Sequence, residues 1–189
     1  MFKIKELIPY LISIILLVVV FSVAISGESE SVKDFTLPDY NGKPHSLSDY
    51  QDSKAIVVMF IATQCPVSNA YNERMASIYR DYSEKDVAFI GINSNKQESV
   101  EEISKHAEKN GLNFTILKDE KNIIADRFEA EVTPEIFVLS PEFKIIYHGR
   151  IDDSQRESEV KSQDLRNALN EILAGEKVSV SETKAFGCT

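Results

Sequence analysis

The sequence predicts an α/β domain in which one central β-sheet is covered by helices on both faces. Continuous apolar runs alternate along the chain with segments of helical periodicity, which is the pattern of a sheet flanked by helices. The apolar runs are hydrophobic at nearly every position, as in strands buried on both faces. The chain has 189 residues and is 43% hydrophobic, so after a leader it is long enough for one core.

The predicted domain begins with a small β extension and then a buried strand. Residues 35–50 read FTLPDYNGKPHSLSDY, in which Pro38-Asp39 and Asn41-Gly42 separate short apolar bursts as turn signals do. Residues 54–64 read KAIVVMFIATQ, a continuous run rich in Val and Ile. This run predicts a central strand that ends directly before Cys65.

The middle of the chain alternates helices and strands. Apolar residues recur at helical spacing after Pro66, which suits a first helical turn. The alternation predicts two helices with a strand after each, at 66–82 (helix), 86–95 (strand), 99–110 (helix) and 113–117 (strand). Gly111 stands where a glycine commonly ends a helix.

The last third of the domain predicts a short helix, a hairpin and a closing helix. The short helix is expected at 121–130, and the hairpin strands at 135–140 and 144–151 follow Thr133-Pro134. A helix is expected over 158–173, because its apolar residues share one face, and Gly175 would end it.

The ends of the chain predict a leader and a tail. Residues 1–26 carry Lys3 and Lys5 before an apolar run and predict a signal peptide or a signal anchor, which places the rest of the chain outside the cytoplasm. The domain boundaries that follow are a linker over 27–32, one folded domain over 33–175 and a flexible C-terminal tail over 176–189. If the leader is uncleaved, it attaches the protein to the membrane.

Composition excludes some classes of partner. The formal charge is −9 and no cluster of Lys and Arg is present, so nucleic acid is not an expected partner. The three histidines are scattered and none lies at metal-ligand spacing from a cysteine or carboxylate, so no metal and no cofactor are expected. Glu73 and Arg74 are expected to form a surface charge pair.

Cys65 is the main candidate for chemistry. It ends a buried strand and precedes a predicted helix, whose N-terminal N–H groups and dipole favour a thiolate. Ser68 could donate a further hydrogen bond to that thiolate. The competing interpretation is a small buried core residue, which is common for a free cysteine.

Cys188 stands one residue from the end of the sequence given, and three roles are open for it. It could resolve an oxidised Cys65, form a permanent disulfide, or remain unpaired and meet another chain. A polar tail of about 13 residues after the last predicted helix is long enough to bring it back to the domain.

Several motifs together resemble a known family. The opening FTLPDYNGKPHSLSDY, the segment VVMFIATQCPVSNAYNERM and the later GINSN, LKDEKNIIADRFEAEVTPEIFVL and GRIDDS are similar to peroxiredoxin-like redoxins of the AhpC/TSA type. That resemblance covers about residues 33–175 and implies a thioredoxin-like fold with a central mixed sheet. The chain departs from thioredoxins at Gln64 and Ser68, where they have Trp and a second cysteine, and from peroxiredoxins at Val58 and Ala62, where they have Pro and Thr or Ser.

The resemblance implies a thiol redox site. Cys65 would be the redox nucleophile and Cys188 the probable resolving cysteine, and Pro134 would form a cis peptide bond opposite Cys65. The residues expected to position substrate are Thr63, Pro66, Ser68, Thr133 and Pro134. The substrate would be a peroxide or a protein disulfide, and a reducing thiol partner such as a thioredoxin-like protein would recycle the site.

Three functions follow from these expectations. The first is an exported thiol-dependent redoxin with oxidoreductase or antioxidant activity. The second is a membrane-tethered thiol-disulfide oxidoreductase for the maturation of envelope proteins or cytochromes. The third is a non-catalytic thioredoxin-like binding or scaffold protein.

Overall fold

The structure is a computed structural model that describes residues 31–189. The predicted leader over 1–26 and most of the linker lie outside the described residues. Within residues 31–189, no helix is both long enough and apolar enough to cross a membrane.

Within residues 31–189, seven strands form two sheets. β1 and β2 pair as the small antiparallel extension expected near residue 40, and five longer strands form the central sheet in the order β5-β4-β3-β6-β7. β3 runs parallel to β4 and antiparallel to β6, so the sheet is mixed as predicted. The strands are β1 (Thr36–Pro38), β2 (Pro44–Ser46), β3 (Ala55–Phe60), β4 (Val87–Asn93), β5 (Thr115–Lys118), β6 (Glu135–Leu139) and β7 (Ile145–Gly149).

Five α-helices of the described part of the chain cover both faces of the central sheet. Each of the predicted helical regions contains a helix, although three of them have different bounds. The helices are α1 (Pro66–Ala70), α2 (Asn72–Tyr82), α3 (Val100–Asn110), α4 (Ile123–Phe128) and α5 (Asp164–Leu173).

Alternate side chains of β3 enter two separate cores. All six of its residues are buried. Val57 and Met59 pack with apolar side chains of α2, α3 and α5, whereas Val58 and Phe60 face α4 and the N-terminal extension. Strand side chains alternate between the two faces of a sheet, so a strand covered on both sides is apolar throughout. β3 ends at Phe60, four residues before the end of the predicted strand over 54–64, so a short connection over 61–64 leads from it to Cys65.

The predicted helix over 66–82 is two helices that meet at Tyr71. The N–H of Tyr71 donates to the carbonyl of Ser68, three residues back, at 3.0 Å. Such a bond tightens the turn and ends α1. Tyr71 is nevertheless fully buried, and its backbone carbonyl accepts the first hydrogen bond of α2, from Met75.

Side-chain caps explain the other two changed bounds. α4 is shorter than 121–130 at its start, because the Asp119 carboxylate accepts hydrogen bonds from the first N–H groups, including Ile123 and Ile124. α5 begins at Asp164 and not at 158. The Asp153 carboxylate accepts the N–H groups of Lys161 and Ser162, which holds the preceding segment as a loop.

Arg74 is buried, so the prediction of a surface charge pair with Glu73 was wrong. Its guanidinium contacts both carboxylate oxygens of Asp152 at 2.6 and 2.7 Å and donates to the carbonyls of Ser154 and Gln155. It also lies 3.7 Å above the ring of Tyr71. This ion pair joins α2 to the loop after β7, behind the helix that begins at Cys65.

We expect Asp152→Ala to lower the free energy of unfolding by about 3 kcal/mol, because it leaves a buried guanidinium without its anion. Equilibrium urea unfolding measures the change. The matched control is Glu159→Ala, which breaks the exposed pair with Arg156 and should change stability by less than about 1 kcal/mol. Equal effects of the two substitutions would contradict a structural role for the Arg74–Asp152 pair.

Candidate active site

Cys65 occupies the N-cap position of α1. Its backbone is extended, and its sulfur accepts a hydrogen bond from the N–H of Ser68 at 3.3 Å. Pro66 takes the first helical position, where a missing N–H does no harm. Only 6% of Cys65 is exposed. The sulfur therefore meets the positive end of the helix in a site that excludes most solvent.

Ser68 supports the site differently from the prediction. Its backbone N–H, and not its hydroxyl, is the donor to Cys65. The hydroxyl accepts the N–H of Ala62 at 3.2 Å and is itself buried. Ser68 thus ties the end of the strand segment to the first turn of the helix, which keeps Cys65 in place between them.

Thr133 and Pro134 lie opposite the sulfur, as predicted. The peptide bond between them is cis. The carbonyl of Thr133 is 3.3 Å from Cys65 Sγ and accepts a hydrogen bond from the thiol. The main chain of Thr133 is therefore the second wall of the site.

The C-terminal tail brings Cys188 to the same place. Thr133 and Cys188 form an antiparallel bridge in which the Thr133 N–H donates to the Cys188 carbonyl at 2.8 Å. The side chain of Cys188 lines the same cleft as Cys65, and the two thiols are near enough for each to shift the pKa of the other. Both cysteines are free thiols. The structure thus brings together the two cysteines that the sequence singled out.

The two thiols have opposite pKa shifts. Burial opposes ionisation of Cys65, but hydrogen bonds from the Cys188 thiol, the Ser68 N–H and the Thr133 side chain outweigh it and lower the pKa of Cys65 from 9.0. The hydrogen bond to Cys65 raises the pKa of Cys188. When the pair loses one proton, the thiolate is therefore favoured on Cys65 and the remaining proton on Cys188.

Glu98 is a site residue that the sequence analysis did not single out. Its carboxylate is almost fully buried and accepts the N–H groups of Thr63 and Gln64 at 2.8 and 3.0 Å. The side chains of Asn93 and Asn95 also donate to it. Burial raises the pKa of Glu98, but these hydrogen bonds reverse that effect and hold it below 4.5. Glu98 therefore fixes the two residues that lead into Cys65.

Lys118 supplies the opposite charge beneath this loop. Its ammonium group donates to the Asn93 side chain and to the carbonyls of Asn95 and Glu98, at 2.6 to 3.1 Å. Burial lowers the pKa of Lys118, whereas the nearby Glu98 carboxylate favours its charged form. The sequence gives little indication that Glu98, Lys118 and the two asparagines meet, because they lie on β4, on β5 and in the loop after β4.

A cleft of about 460 Å³ opens beside the two thiols. One wall is the segment from Ser94 to Glu98, and the other is the segment from Ala130 to Thr133. Cys65 and Cys188 lie at its base, together with Thr189. A small substrate can enter this cleft without moving the sheet.

The histidines have structural partners away from the thiols. His45 contacts Asp39, His106 contacts Asn72 and His148 contacts Glu135, the last at 2.7 Å. Across residues 31–189, no three histidine, cysteine or acidic side chains are grouped as a metal site would require.

A family match covers both walls of the site. The AhpC/TSA family model matches residues 29–148, which include Cys65 and Thr133 but not Cys188. The chain belongs to the AhpC/TSA family. The family predicted from the sequence motifs is thus confirmed.

Two relatives carry names from different branches of thiol chemistry. The chain is 26% identical over 120 residues to the thiol-disulfide oxidoreductase ResA of Bacillus subtilis (strain 168), which covers 64% of this chain and 65% of ResA. It is 29% identical over 94 residues to the peroxiredoxin Bcp of Escherichia coli (strain K12), which covers 50% of this chain and 58% of Bcp. The match thus spans just under two thirds of ResA and little more than half of Bcp.

Solved structures confirm the predicted fold. A hypothetical protein from Sinorhizobium meliloti 1021 matches with a TM-score of 0.78 and 32% identity, over 85% of this chain and 91% of that one. The thioredoxin domain of a thiol-disulfide oxidoreductase from Bacteroides vulgatus matches with a TM-score of 0.61 and 19% identity, over 77% of this chain and 96% of that domain. The fold is therefore thioredoxin-like.

We expect Glu98→Gln to lower the free energy of unfolding by about 1–3 kcal/mol at neutral pH, because an amide cannot accept all the hydrogen bonds of the carboxylate. The pKa of Glu98 is lowered in the folded state, so its contribution is present above pH 4.5 and is lost as the pH falls below that value. The deficit of the variant should therefore shrink in acid. Urea unfolding across pH measures it, and the exposed Glu101→Gln is the control; a deficit independent of pH would refute the assignment.

We expect Cys188→Ala to raise the pKa of Cys65, because it removes the thiol that donates to the Cys65 sulfur. Cys188→Ser keeps a donor and should lie closer to wild type. The rate of alkylation of Cys65 as a function of pH, followed by peptide mass spectrometry, gives the pKa. Identical profiles for wild type and Cys188→Ala would show that the two side chains do not interact in solution.

Proposed function

We propose that this protein is an exported thiol-dependent oxidoreductase in which Cys65 is the redox nucleophile and Cys188 resolves it. One observation carries the proposal: two free thiols line one cleft, with Cys65 at the N-cap of α1 and Cys188 held there by backbone pairing with Thr133. Of the two, only Cys65 has a lowered pKa. A thiolate is the reactive form of cysteine, and a thiol beside it is placed to complete a disulfide.

With a peroxide as substrate, the first step is attack by the Cys65 thiolate on one peroxide oxygen. An S–O bond forms, the O–O bond breaks, and the leaving oxygen takes up a proton to become water or an alcohol. Cys65 is oxidised by two electrons to a sulfenic acid. The peroxide reaches the sulfur through the cleft between the Ser94–Glu98 segment and the Ala130–Thr133 segment.

The second step follows from the charges of the two thiols. The pKa of Cys188 is raised first of all by its hydrogen bond to Cys65. A sulfenic acid at Cys65 is neutral, so this cause is removed, whereas the Val67 N–H that favours a Cys188 thiolate remains. The Cys188 thiolate then attacks the Cys65 sulfur, an S–S bond forms, and the hydroxyl group leaves as water after protonation. Oxidation of Cys65 thereby activates Cys188.

A dithiol partner closes the cycle by reducing the Cys65–Cys188 disulfide to two thiols while its own thiols form a disulfide. A thioredoxin-like protein has the required chemistry. The reduced dithiol form can instead reduce a protein disulfide: the Cys65 thiolate attacks one sulfur, the other sulfur leaves as a thiol, and Cys188 then attacks Cys65, which releases the second thiol and leaves the Cys65–Cys188 disulfide. The name of the relative ResA, a thiol-disulfide oxidoreductase, supports this substrate class. A peroxide and a protein disulfide are thus the two substrate classes of this proposal.

Export is part of the proposal and rests on the sequence. The leader over 1–26, in which Lys3 and Lys5 precede an apolar run, is typical of a signal peptide or signal anchor. The cell envelope, on the outer side of the cytoplasmic membrane, is therefore the expected location. An oxidising compartment would favour a reversible disulfide between two cysteines.

We expect one equivalent of hydrogen peroxide to convert wild-type protein to the Cys65–Cys188 disulfide, seen by mass spectrometry as the loss of both free thiols. In Cys188→Ser the expected product is a sulfenic acid on Cys65, trapped with dimedone. Cys65→Ser should leave the Cys188 thiol largely unmodified on the same timescale, because Cys188 is not the N-cap of α1 and does not receive the hydrogen bond from the Ser68 N–H. Together, these three results test which cysteine is the nucleophile, which cysteine resolves it and the order in which the two react.

The alternatives give different results in the same experiment. Reduction of insulin by the dithiol form, without consumption of peroxide, would favour a membrane-tethered thiol-disulfide oxidoreductase. Two thiols that stay free in both assays would favour a binding or scaffold protein and would overturn the proposal.

A further inference from the structure

A second cleft shares a wall with the cleft beside the thiols. It has a volume of about 470 Å³, and Glu131 and Val132 line both clefts. Glu135 and His148 line the second cleft but not the first. The segment that contains Glu131 and Val132, here called the wall, therefore has the thiols on one side and this pair of ionisable side chains on the other.

Glu135 holds the wall through its carboxylate. It is the first residue of β6 and is buried, and one of its oxygens accepts the N–H groups of Glu131 and Val132 at 2.7 and 3.1 Å. Burial raises the pKa of Glu135, but hydrogen bonds from His148 and from the two N–H groups outweigh burial and lower the pKa from 4.5. The wall is therefore tied to an ionised carboxylate.

His148 keeps that carboxylate in place. An ionised carboxylate can only accept, so the ring Nε2 donates, and it does so to the other oxygen of Glu135 at 2.7 Å. The ring also stacks on Phe137, with centroids 4.2 Å apart and planes 9° from parallel. His148 and Phe137 are direct partners in the pairing of β7 with β6, so the sheet sets the position of the ring.

The backbone of His148 holds the C-terminal tail at the same time. Its N–H donates to the carbonyl of Ser181 and its carbonyl accepts the N–H of Thr183, both at 2.9 Å. The tail, which the sequence predicted to be flexible, thus lies beside β7 before Cys188 pairs with Thr133. The two supports of Cys188, which are the tail and the wall, therefore both depend on His148.

We propose, on the basis of the thiol chemistry above, that Glu135 and His148 are positioning residues for the resolving step. They hold the wall so that Thr133, which follows it directly, keeps Cys188 within reach of the oxidised Cys65. The nucleophile itself is activated from another element, the N-terminus of α1. Attack on peroxide therefore depends on this pair much less than resolution does.

The two oxidation steps should consequently respond differently to a change at this pair. Formation of the sulfenic acid on Cys65 is faster at higher peroxide concentration. In the second step the Cys188 thiolate attacks the sulfenic sulfur, an S–S bond forms and the hydroxyl group leaves as water after protonation, at a rate independent of peroxide. A displaced wall lowers the fraction of molecules in which Cys188 is in place, and the second rate falls with that fraction.

The test compares full-length variants that separate the hydrogen bond of His148 from its ring packing. His148→Phe keeps a ring to stack on Phe137 but has no donor for Glu135, whereas His148→Gln keeps a donor and lacks the ring. The control is His45→Phe, which makes the same change in the pair of His45 and Asp39 on the N-terminal extension. Rapid mixing with excess hydrogen peroxide, followed by dimedone trapping and mass spectrometry, gives the rates of both steps.

We expect His148→Phe to slow the second step about tenfold, a factor that the loss of one hydrogen bond to a charged group can supply. The first step should change less than about threefold, because α1 still activates Cys65. His148→Gln should keep the second rate within about threefold of wild type, because its amide still donates to Glu135. His45→Phe should change neither rate.

Glu135→Ala removes the acceptor that holds the wall and should slow the second step at least as much as His148→Phe. Adding His148→Phe to Glu135→Ala should slow it no further, because the ring acts through the carboxylate. If Glu135→Ala protein does not fold, the comparison of His148→Phe with His148→Gln decides the question alone.

Three results would overturn the positioning proposal and leave the redox function intact. They are equal second rates in wild type and His148→Phe, equal slowing of both steps, and a His148→Gln variant as slow as His148→Phe, which would assign the effect to ring packing. Wild-type protein that forms neither a sulfenic acid nor a disulfide would overturn the redox function itself.

Discussion

The hydrogen bond from the Ser68 N–H to the Cys65 sulfur is the interaction on which the site depends. It exists because β3, which is buried on both faces, fixes the path of the chain up to Phe60, and because Cys65 directly precedes the first residue of α1. A thiolate in an apolar environment is costly, and here the unpaired N–H groups of a helix terminus offset that cost. A cysteine one residue earlier or later would not be the N-cap.

A buried carboxylate near Cys65 would oppose a thiolate, and Glu98 binds the two residues that directly precede Cys65. Its oxygens accept hydrogen bonds from the N–H groups of Thr63 and Gln64 and from two asparagine amides, so these donors stabilise its negative charge. Lys118 lies beneath the same loop and partly balances that charge. The result is a rigid approach to Cys65 without a free negative charge facing the sulfur.

The sequence predicted the elements that depend on local patterns and missed those that depend on long-range contacts. Hydrophobic periodicity located the strands and helices, and Gly111 ended its helix as expected, because these are properties of neighbouring residues. The burial of Arg74 was missed, since its partner Asp152 is 78 residues away. Glu98 was missed for the same reason, because nothing near it in sequence shows that it binds the residues before Cys65.

Because the second thiol lies on the C-terminal tail, oxidation of the two thiols would also change how that tail is attached to the domain. A cysteine at position 68 would place the second sulfur in the first turn of α1, where Ser68 is buried and its hydroxyl accepts the Ala62 N–H. A disulfide between cysteines at positions 65 and 68 would require little movement of the rest of the chain. In this chain the second sulfur is carried by a tail that pairs with Thr133 through its backbone, so a Cys65–Cys188 disulfide would add a covalent bond to that pairing. Reduction of the disulfide would leave the end of the tail held there by non-covalent contacts.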